Sequence, residues 1–330
     1  MRKVIFTPMG YMNPNSGGMY VLEQHMEFLK TAGYDIHILY SSNDVWNAFY
    51  YLSYKYPSIG FNGDSNSNWL LASTEDKIKV LSPMSKNDIV IISEEFAWYG
   101  IKELIPRNIN YLIINQGISA TFYSNYEPAE SIRDFYQKSK GVLVNSDHTA
   151  LGVQKIFKLS DKKILRFKVG VDDKIFKSST KNNTICYSTQ KNGNIATFVE
   201  KYLRLNYSDL GIIRIDNATR SEFANILSKS KIYMSFGGPE GFGLPPIEAA
   251  FSGCRVIGFD GYGGAEYFRE PTFVKVNQHD HLDFLDKIDN VITDINNESL
   301  YDEKYVQILR EKYSLANARE TITKIFSNIE

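Results

Sequence analysis

The densest concentration of chemistry in this 330-residue chain is Ser235-Phe236-Gly237-Gly238-Pro239-Glu240-Gly241-Phe242-Gly243-Leu244-Pro245-Pro246-Ile247-Glu248-Ala249-Ala250. It follows a buried apolar run. Four glycines within the seven positions 237–243 allow close backbone approach and unusual dihedral angles. Pro246 suits the first position of a helix, and Gly253 is placed to end it. Glu240 then falls in the loop and Glu248 in the first turn of the helix. Exposed backbone N–H groups at a helix start favour phosphate oxygens and hydroxyls. The two carboxylates accept hydrogen bonds from hydroxyl groups.

The elements that must position this segment alternate along the whole chain. Val4–Met9 reads as a strand, Asn13-Pro14-Asn15-Ser16-Gly17-Gly18 as a loop, and Val21, Leu22, His25, Phe28 and Leu29 recur at helical spacing. Gly33 is placed to stop that helix, and Ile36–Tyr40 is the next strand. Further buried strands are expected at Ile89–Ile92, Tyr111–Ile114 and Gly141–Val144, each followed by polar residues. Those are Ser93-Glu94-Glu95, Asn115-Gln116-Gly117 and Asn145-Ser146, with Asp147 as the expected N-cap of the next helix. In open α/β sheets ligands sit at that edge.

A second alternating set follows. Its strands are expected near 185–188, 211–215, 232–236, 255–259 and 273–276, and its helices near 194–203, 222–228, 246–251 and 281–288. Two more helices are expected near 300–312 and 315–327. This alternation argues for two doubly wound α/β domains. The expected division is 1–168, a linker at 169–183, a second domain at 184–312 and a closing helix at 313–330 that packs back on the first domain. Residues 41–80, with Tyr50, Tyr51, Tyr54, Tyr56 and the loop-like run 62–68, read as a surface excursion or a substrate rim.

Composition sets the outer bounds. With 37 Lys+Arg against 38 Asp+Glu the net charge is −1, so the basic excess of a non-specific nucleic-acid binder is absent. Two cysteines, Cys186 and Cys254, give neither a disulfide framework nor a Cys-x-x-Cys zinc site, and both read as small core residues. No 18-residue apolar stretch occurs, which makes the cytoplasm the expected compartment and leaves the sequon at Asn206 without meaning. His279-Asp280-His281 reads as a helix start, with Asp280 as N-cap and Asp283 as a first-turn charge, rather than as a metal site. His25 reads as a core or cleft-lining histidine, and His148 as a first-turn residue without chemistry.

The run Glu240 to Glu248 resembles the Glu-x7-Glu motif of retaining nucleotide-sugar glycosyltransferases, glycosyltransferase family 4, with the two-Rossmann GT-B fold. Gly170-Val171-Asp172 with Phe176 is similar to the family's Gly-Val-Asp-x-x-x-Phe signature, Gly17-Gly18 to its N-terminal glycine loop, and Gly261 to Glu266 to its later glycine-and-glutamate element. The resemblance implies two Rossmann-like domains with a deep interdomain cleft. It implies a donor site in which Glu240 and the amides of Phe242, Gly243 and Leu244 hold a hexose, Glu248 binds the ribose, and Gly17 and Gly18 lie under the diphosphate. Lys191 supplies a cation there, while Gln190 stands near the place of the family's usual arginine. Where the family has a histidine near the donor sugar, this chain has Asn115-Gln116-Gly117, so Gln116 is a candidate sugar contact.

The implied reaction moves a hexosyl group from a nucleotide-diphosphate sugar to a hydroxyl of a glycan or glycolipid, with no metal and no cofactor. The transition state is oxocarbenium-like, and catalysis rests on stabilising the charge that grows on the leaving diphosphate. Lys191 and Glu240 are the expected catalytic residues, and Glu94 and Glu95 the expected acceptor contacts. No buried nucleophile stands out, so a front-face route assisted by the leaving phosphate is expected. Polysaccharide biosynthesis is the expected setting, and any membrane contact would be peripheral, at the inner face. Two rivals stay open: a protein that binds nucleotide sugars without turnover, and a nucleotide-sugar 2-epimerase of the same fold. The absent arginine favours the first. The second requires further paired carboxylates and histidines that the sequence does not show.

Overall fold

The structure, a computed structural model, describes residues 2–7, 16–41, 58–61, 87–123, 126–296 and 300–329. The expected excursion at 41–80 therefore lies outside the described residues except for 41 and 58–61, and so do Pro8–Asn15. The chain forms two compact units, one of residues 1–168 with 318–330 and one of residues 169–317.

The first unit is built on a seven-stranded sheet in the order β3-β2-β1-β4-β5-β6-β7. Its strands are β1 Lys3–Phe6, β2 Asp35–Ser41, β3 Ser58–Phe61, β4 Ile89–Ser93, β5 Tyr111–Asn115, β6 Gly141–Val144 and β7 Ile164–Arg166. Every pairing is parallel, with Val4 opposite Ile36 on one side and Ile89 on the other. All residues of β4, β5 and β6 are buried, as strands covered on both faces require. Ile92, Ile113, Phe135, Tyr136, Val153 and Phe157 form much of one core layer, in which the rings of Tyr136 and Phe157 stack at 3.7 Å. Residues 318–330 belong to this unit: Lys168 N donates to Thr321 Oγ1 at 3.1 Å, and Tyr34 meets Phe326 edge-on at 5.8 Å.

The second unit holds a five-stranded parallel sheet in the order β12-β11-β10-β8-β9. The strands are β8 Asn182–Ser188, β9 Gly211–Ile215, β10 Ser230–Phe236, β11 Arg255–Phe259 and β12 Phe273–Lys275. Helices Gly193–Asn206, Arg220–Lys229, Leu244–Phe251, His281–Thr293 and Glu303–Lys312 surround it. The stretch 169–183, expected as a linker, is part of this unit. Val171 N donates to Tyr313 O at 2.8 Å, and Phe176 is fully buried. Lys181 satisfies three carbonyls at helix and strand ends, those of Leu227, Ser230 and Ser252, at 2.6–3.1 Å.

Helix boundaries follow local chemistry. Asp280 caps its helix by accepting from Asp283 N at 3.0 Å, as the sequence indicated. The cap before Asp147, however, is Ser146, whose Oγ accepts from Thr149 N at 3.1 Å. A serine hydroxyl serves that place as well as a carboxylate, and Asp147 moves to the first turn, where its charge still favours the helix. Gly33 at φ +92° and Gly253 at φ +80° end their helices. Cys186 and Cys254 are fully buried free thiols, and burial holds the Cys254 thiol up at about 11. Among the described residues no helix is long and apolar enough to cross a membrane.

Candidate functional site

In the second unit the sequence-predicted loop lies where β10 ends at Phe236. Its path is fixed from several directions. Asn192, held at φ +48°, donates from Nδ2 to Phe236 O at 3.0 Å and Gly237 O at 3.3 Å, and Gln278 Nε2 reaches Gly237 O at 3.3 Å. Glu240 N donates to Gly261 O at 2.8 Å. A Cβ on Gly263 would stand 2.1 Å from Gly241 O, so only a glycine permits this approach of the two loops.

The helix Leu244–Phe251 begins with Gly243 at φ +80° and carries no side-chain cap. Pro245 and Pro246 have no N–H, so of the four donors that a helix start leaves open only those of Gly243 and Leu244 exist here. The carbonyls beside them are taken from within: Tyr267 Oη donates to Phe242 O at 3.2 Å and also to Gly243 O. Phe242 is buried, 5.3 Å from the ring of Tyr267 and 5.1 Å from that of Tyr313. Its contribution to a ligand is therefore limited to its backbone, while its ring anchors the loop in the core.

Lys191 and Glu240 meet at this rim. Lys191 Nζ lies 3.2 Å from Glu240 Oε1, with the lysine side chain 49% exposed and the glutamate 20%. An ion pair this open is worth below about 1 kcal/mol, so an incoming anion can draw the ammonium away at small cost. Gln190 is exposed and offers no charge. Glu248 is different. It is 2% exposed, and its Oε1 accepts from Arg220 Nη2 at 2.6 Å. Burial pushes its carboxyl up, and the Arg220 charge opposes that. The Arg220 guanidinium also lies 4.8 Å over the ring of Phe176, which ties the helices at 220 and 244 to the segment after Val169.

The first unit carries its own set at the ends of its strands. Ser16 caps the helix Gly17–Thr31, whose first turn holds no acidic residue. Gly17 is exposed. Gly18 O accepts from Gln116 Nε2 at 3.2 Å, which brings two expected donor contacts together. Asn115 is fully buried with Nδ2 on Tyr136 Oη at 2.8 Å and Thr121 Oγ1 at 3.3 Å, so it belongs to the core and Gln116 is left as the polar residue at this strand end. His25 is buried edge-on to Phe167 at 4.5 Å, and burial holds it neutral, down to about 3.

Glu94, an expected acceptor contact, is buried, with its carboxylate turned onto the backbone. Oε1 accepts from Gln116 N at 2.8 Å and Gly117 N at 3.1 Å, and Oε2 from Ser93 Oγ at 3.1 Å. Burial is the larger effect and raises its carboxyl to about 7, against the lowering effect of these donors. Glu95 is partly exposed, and burial raises its carboxyl too.

This shift has a stability consequence. The unfolded Glu94 ionises near its ordinary value of 4.5 and the folded one near 7. The contribution is thus fully present below 4.5 and is lost as pH rises to 7, by at most about 3 kcal/mol at roughly 1.4 kcal/mol per pH unit. Glu94→Gln, which cannot ionise, is expected to flatten the fall in Tm between pH 5 and pH 8. Parallel melting curves of variant and wild type across that range would refute this.

Sequence reasoning missed Arg220, Asn192 and Tyr267. Arg220 and Asn192 each stand at a helix start just after a strand, a place where polar residues are expected for capping alone. Tyr267 follows the glycine-rich element by one residue, which was the available signal.

No protein-family model matches the sequence. The chain is 26% identical over 125 residues to an alpha-1,6-glucosyltransferase of Actinobacillus pleuropneumoniae serotype 7 (strain AP76), a match spanning 36% of this chain and 38% of that protein. Among solved structures, Anabaena Alr3699/HepE, determined with UDP and also with UDP-glucose, superposes in its UDP form with TM-score 0.75 at 12% identity, over 99% of this chain and 100% of that one. A glycosyltransferase from Rickettsia africae ESF-5 gives TM-score 0.71 at 16% identity, over 99% and 98%. Two parallel sheets in one chain, with helices packed around them, match these proteins over nearly their whole length, and the chain accordingly has the GT-B fold.

Proposed function

We propose that this chain is a retaining, metal-independent glycosyltransferase that moves a hexosyl group from a nucleoside-diphosphate sugar to a hydroxyl of a glycan or glycolipid. The observation that carries this reading is the Lys191–Glu240 pair, 3.2 Å apart, at the rim of a glycine loop that leads into the start of helix Leu244–Phe251. A movable cation, a hydroxyl acceptor and backbone donors meet at that one rim. UDP-glucose is the first donor to try, because the partial relative is a glucosyltransferase and the Anabaena protein is solved with UDP-glucose.

In this proposal Lys191 and the N–H groups at Gly243 and Leu244 receive the charge that grows on the leaving diphosphate. Glu240 holds the hexose hydroxyls, and Glu248 the ribose. Gly17, Gly18 and Gln116 are read as donor contacts and Glu95 as an acceptor contact. The bond from the anomeric carbon to the diphosphate oxygen breaks while the acceptor oxygen bonds to the same face of that carbon. The acceptor proton passes to the departing phosphate oxygen, so no protein nucleophile is needed.

The test is an assay of nucleotide release across a panel of nucleoside-diphosphate sugars, with and without glycan acceptors, in EDTA, with the product anomer assigned by NMR. Acceptor-dependent release in EDTA with retained configuration is expected. Binding without release would favour the sugar-nucleotide binder, the reading supported by the uncharged Gln190. An inverted product, or turnover that EDTA abolishes, would overturn the mechanism.

A further inference from the structure

In the first unit the loop after β5 is held from beneath by one buried carboxylate. Glu94 stands at the end of the neighbouring strand β4 and is 3% exposed. Its Oε1 takes two consecutive backbone N–H groups, those of Gln116 and Gly117, at 2.8 and 3.1 Å. Asn145 Nδ2 reaches Gln116 O at 3.4 Å from the end of β6. With its backbone held on both sides, Gln116 sends Nε2 to Gly18 O at 3.2 Å, in the first turn of helix Gly17–Thr31. The chain of bonds runs from a buried carboxyl group, through a strand-end loop, to the helix start that carries the glycine pair.

We infer that Glu94 is a positioning residue that sets the placement of Gln116 and, through it, of the Gly17-Gly18 turn. This rests on the reading of Gln116, Gly17 and Gly18 as donor contacts. It deepens that reading by moving Glu94 from the acceptor to the frame behind the donor. Two N–H groups on one oxygen fix both the height and the tilt of the loop. Loss of that grip leaves two N–H groups to find water, and small shifts of a contact residue are enough to cost about two orders of magnitude in rate.

The experiment compares Glu94→Ala, Glu94→Asp, Glu94→Gln, Gln116→Ala and the double variant Glu94→Ala/Gln116→Ala in the full chain. The readouts are kcat and KM for nucleotide release and amide hydrogen exchange of the peptides 17–22 and 112–119. Glu94→Ala is expected to lower kcat about 10- to 100-fold with a smaller change in KM. It should speed exchange in both peptides, and adding it to Gln116→Ala should cost little more. Glu94→Gln keeps a carbonyl oxygen for the two N–H groups and should stay within threefold of wild type. If Glu94→Ala does not fold, Glu94→Asp, whose shorter arm cannot hold both groups, is read in its place with the same expectations.

A kcat within threefold of wild type in the alanine or aspartate variant would overturn the inference, as would unchanged exchange at 17–22 or losses that add fully with Gln116→Ala. A Glu94→Gln enzyme as slow as Glu94→Ala would also overturn it, because the carboxylate itself would then take part in the chemistry. Wild type that releases no nucleotide from any sugar would instead defeat the transfer reading, and the exchange data would still decide whether Glu94 couples the two segments.

Discussion

Lys191→Ala is expected to lower the turnover of sugar transfer by about 100- to 1,000-fold, the usual effect of removing one donor aimed at developing charge. The expectation follows from position. The ammonium is half-exposed and its partner Glu240 is only an open ion pair, so the lysine does little for the fold. The same openness lets it swing to an anion. Gln190 beside it is uncharged and cannot replace the lost cation. Unfolding free energies of variant and wild type should agree within about 1 kcal/mol, which separates a chemical role from a structural one. Lys191→Arg restores charge with a different shape and is expected to recover part of the rate. Turnover of Lys191→Ala within a factor of three of wild type would remove this residue from the mechanism.

How much of this could be read from the sequence depends on how local each signal is. Strands such as Ile89–Ser93 and Gly141–Val144 are covered on both faces, so an unbroken apolar run marks them. The edge strands are different. Ile164–Arg166 has three residues, all only partly buried, and Ser58–Phe61 has four, within a stretch crowded with tyrosine and asparagine. Pairing with a neighbour makes them strands, and a neighbour distant in sequence leaves no periodic trace. A helix start after the glycine loop was legible because glycine and proline act through their own backbones, although the helix begins at Leu244, two residues before the expected 246.

The partners of charged groups were not legible. Glu240 and Lys191 are 49 positions apart in the chain, and Glu94 and Gln116 are 22 apart. Only the stacking of strands β8, β10 and β11 in one sheet, or of β4 and β5 in the other, brings such residues together. Burial was equally hidden. Glu94 and Glu95 are adjacent and chemically alike, yet one is enclosed and the other partly open, because the backbone after Ser93 turns through a short helix there.

The pair Glu248–Arg220 should show the largest effect on stability. The carboxylate is 2% exposed and the arginine side chain 29%, with 2.6 Å between Oε1 and Nη2. Removing one member of such a pair strands the other in a poor solvent, a loss of about 3–5 kcal/mol. Arg220→Ala is therefore expected to destabilise the chain, and the loss should grow with pH. Without the arginine the buried Glu248 is held further above its ordinary range, so the folded state keeps a proton that the unfolded state gives up. The double variant Glu248→Ala/Arg220→Ala should cost less than the two single losses together, by about 1–3 kcal/mol, since the residues touch. Strict additivity would mean that the contact carries no energy. Glu248→Gln keeps the shape and an acceptor for Arg220, so it isolates the ligand role. UDP affinity is expected to fall about 10- to 100-fold, in line with the roughly 1.5–3 kcal/mol that a charged hydrogen bond contributes. An unchanged Kd in a stable Glu248→Gln protein would leave Glu248 with a single task, holding the guanidinium against Phe176, and would withdraw the ribose contact from the proposed donor site.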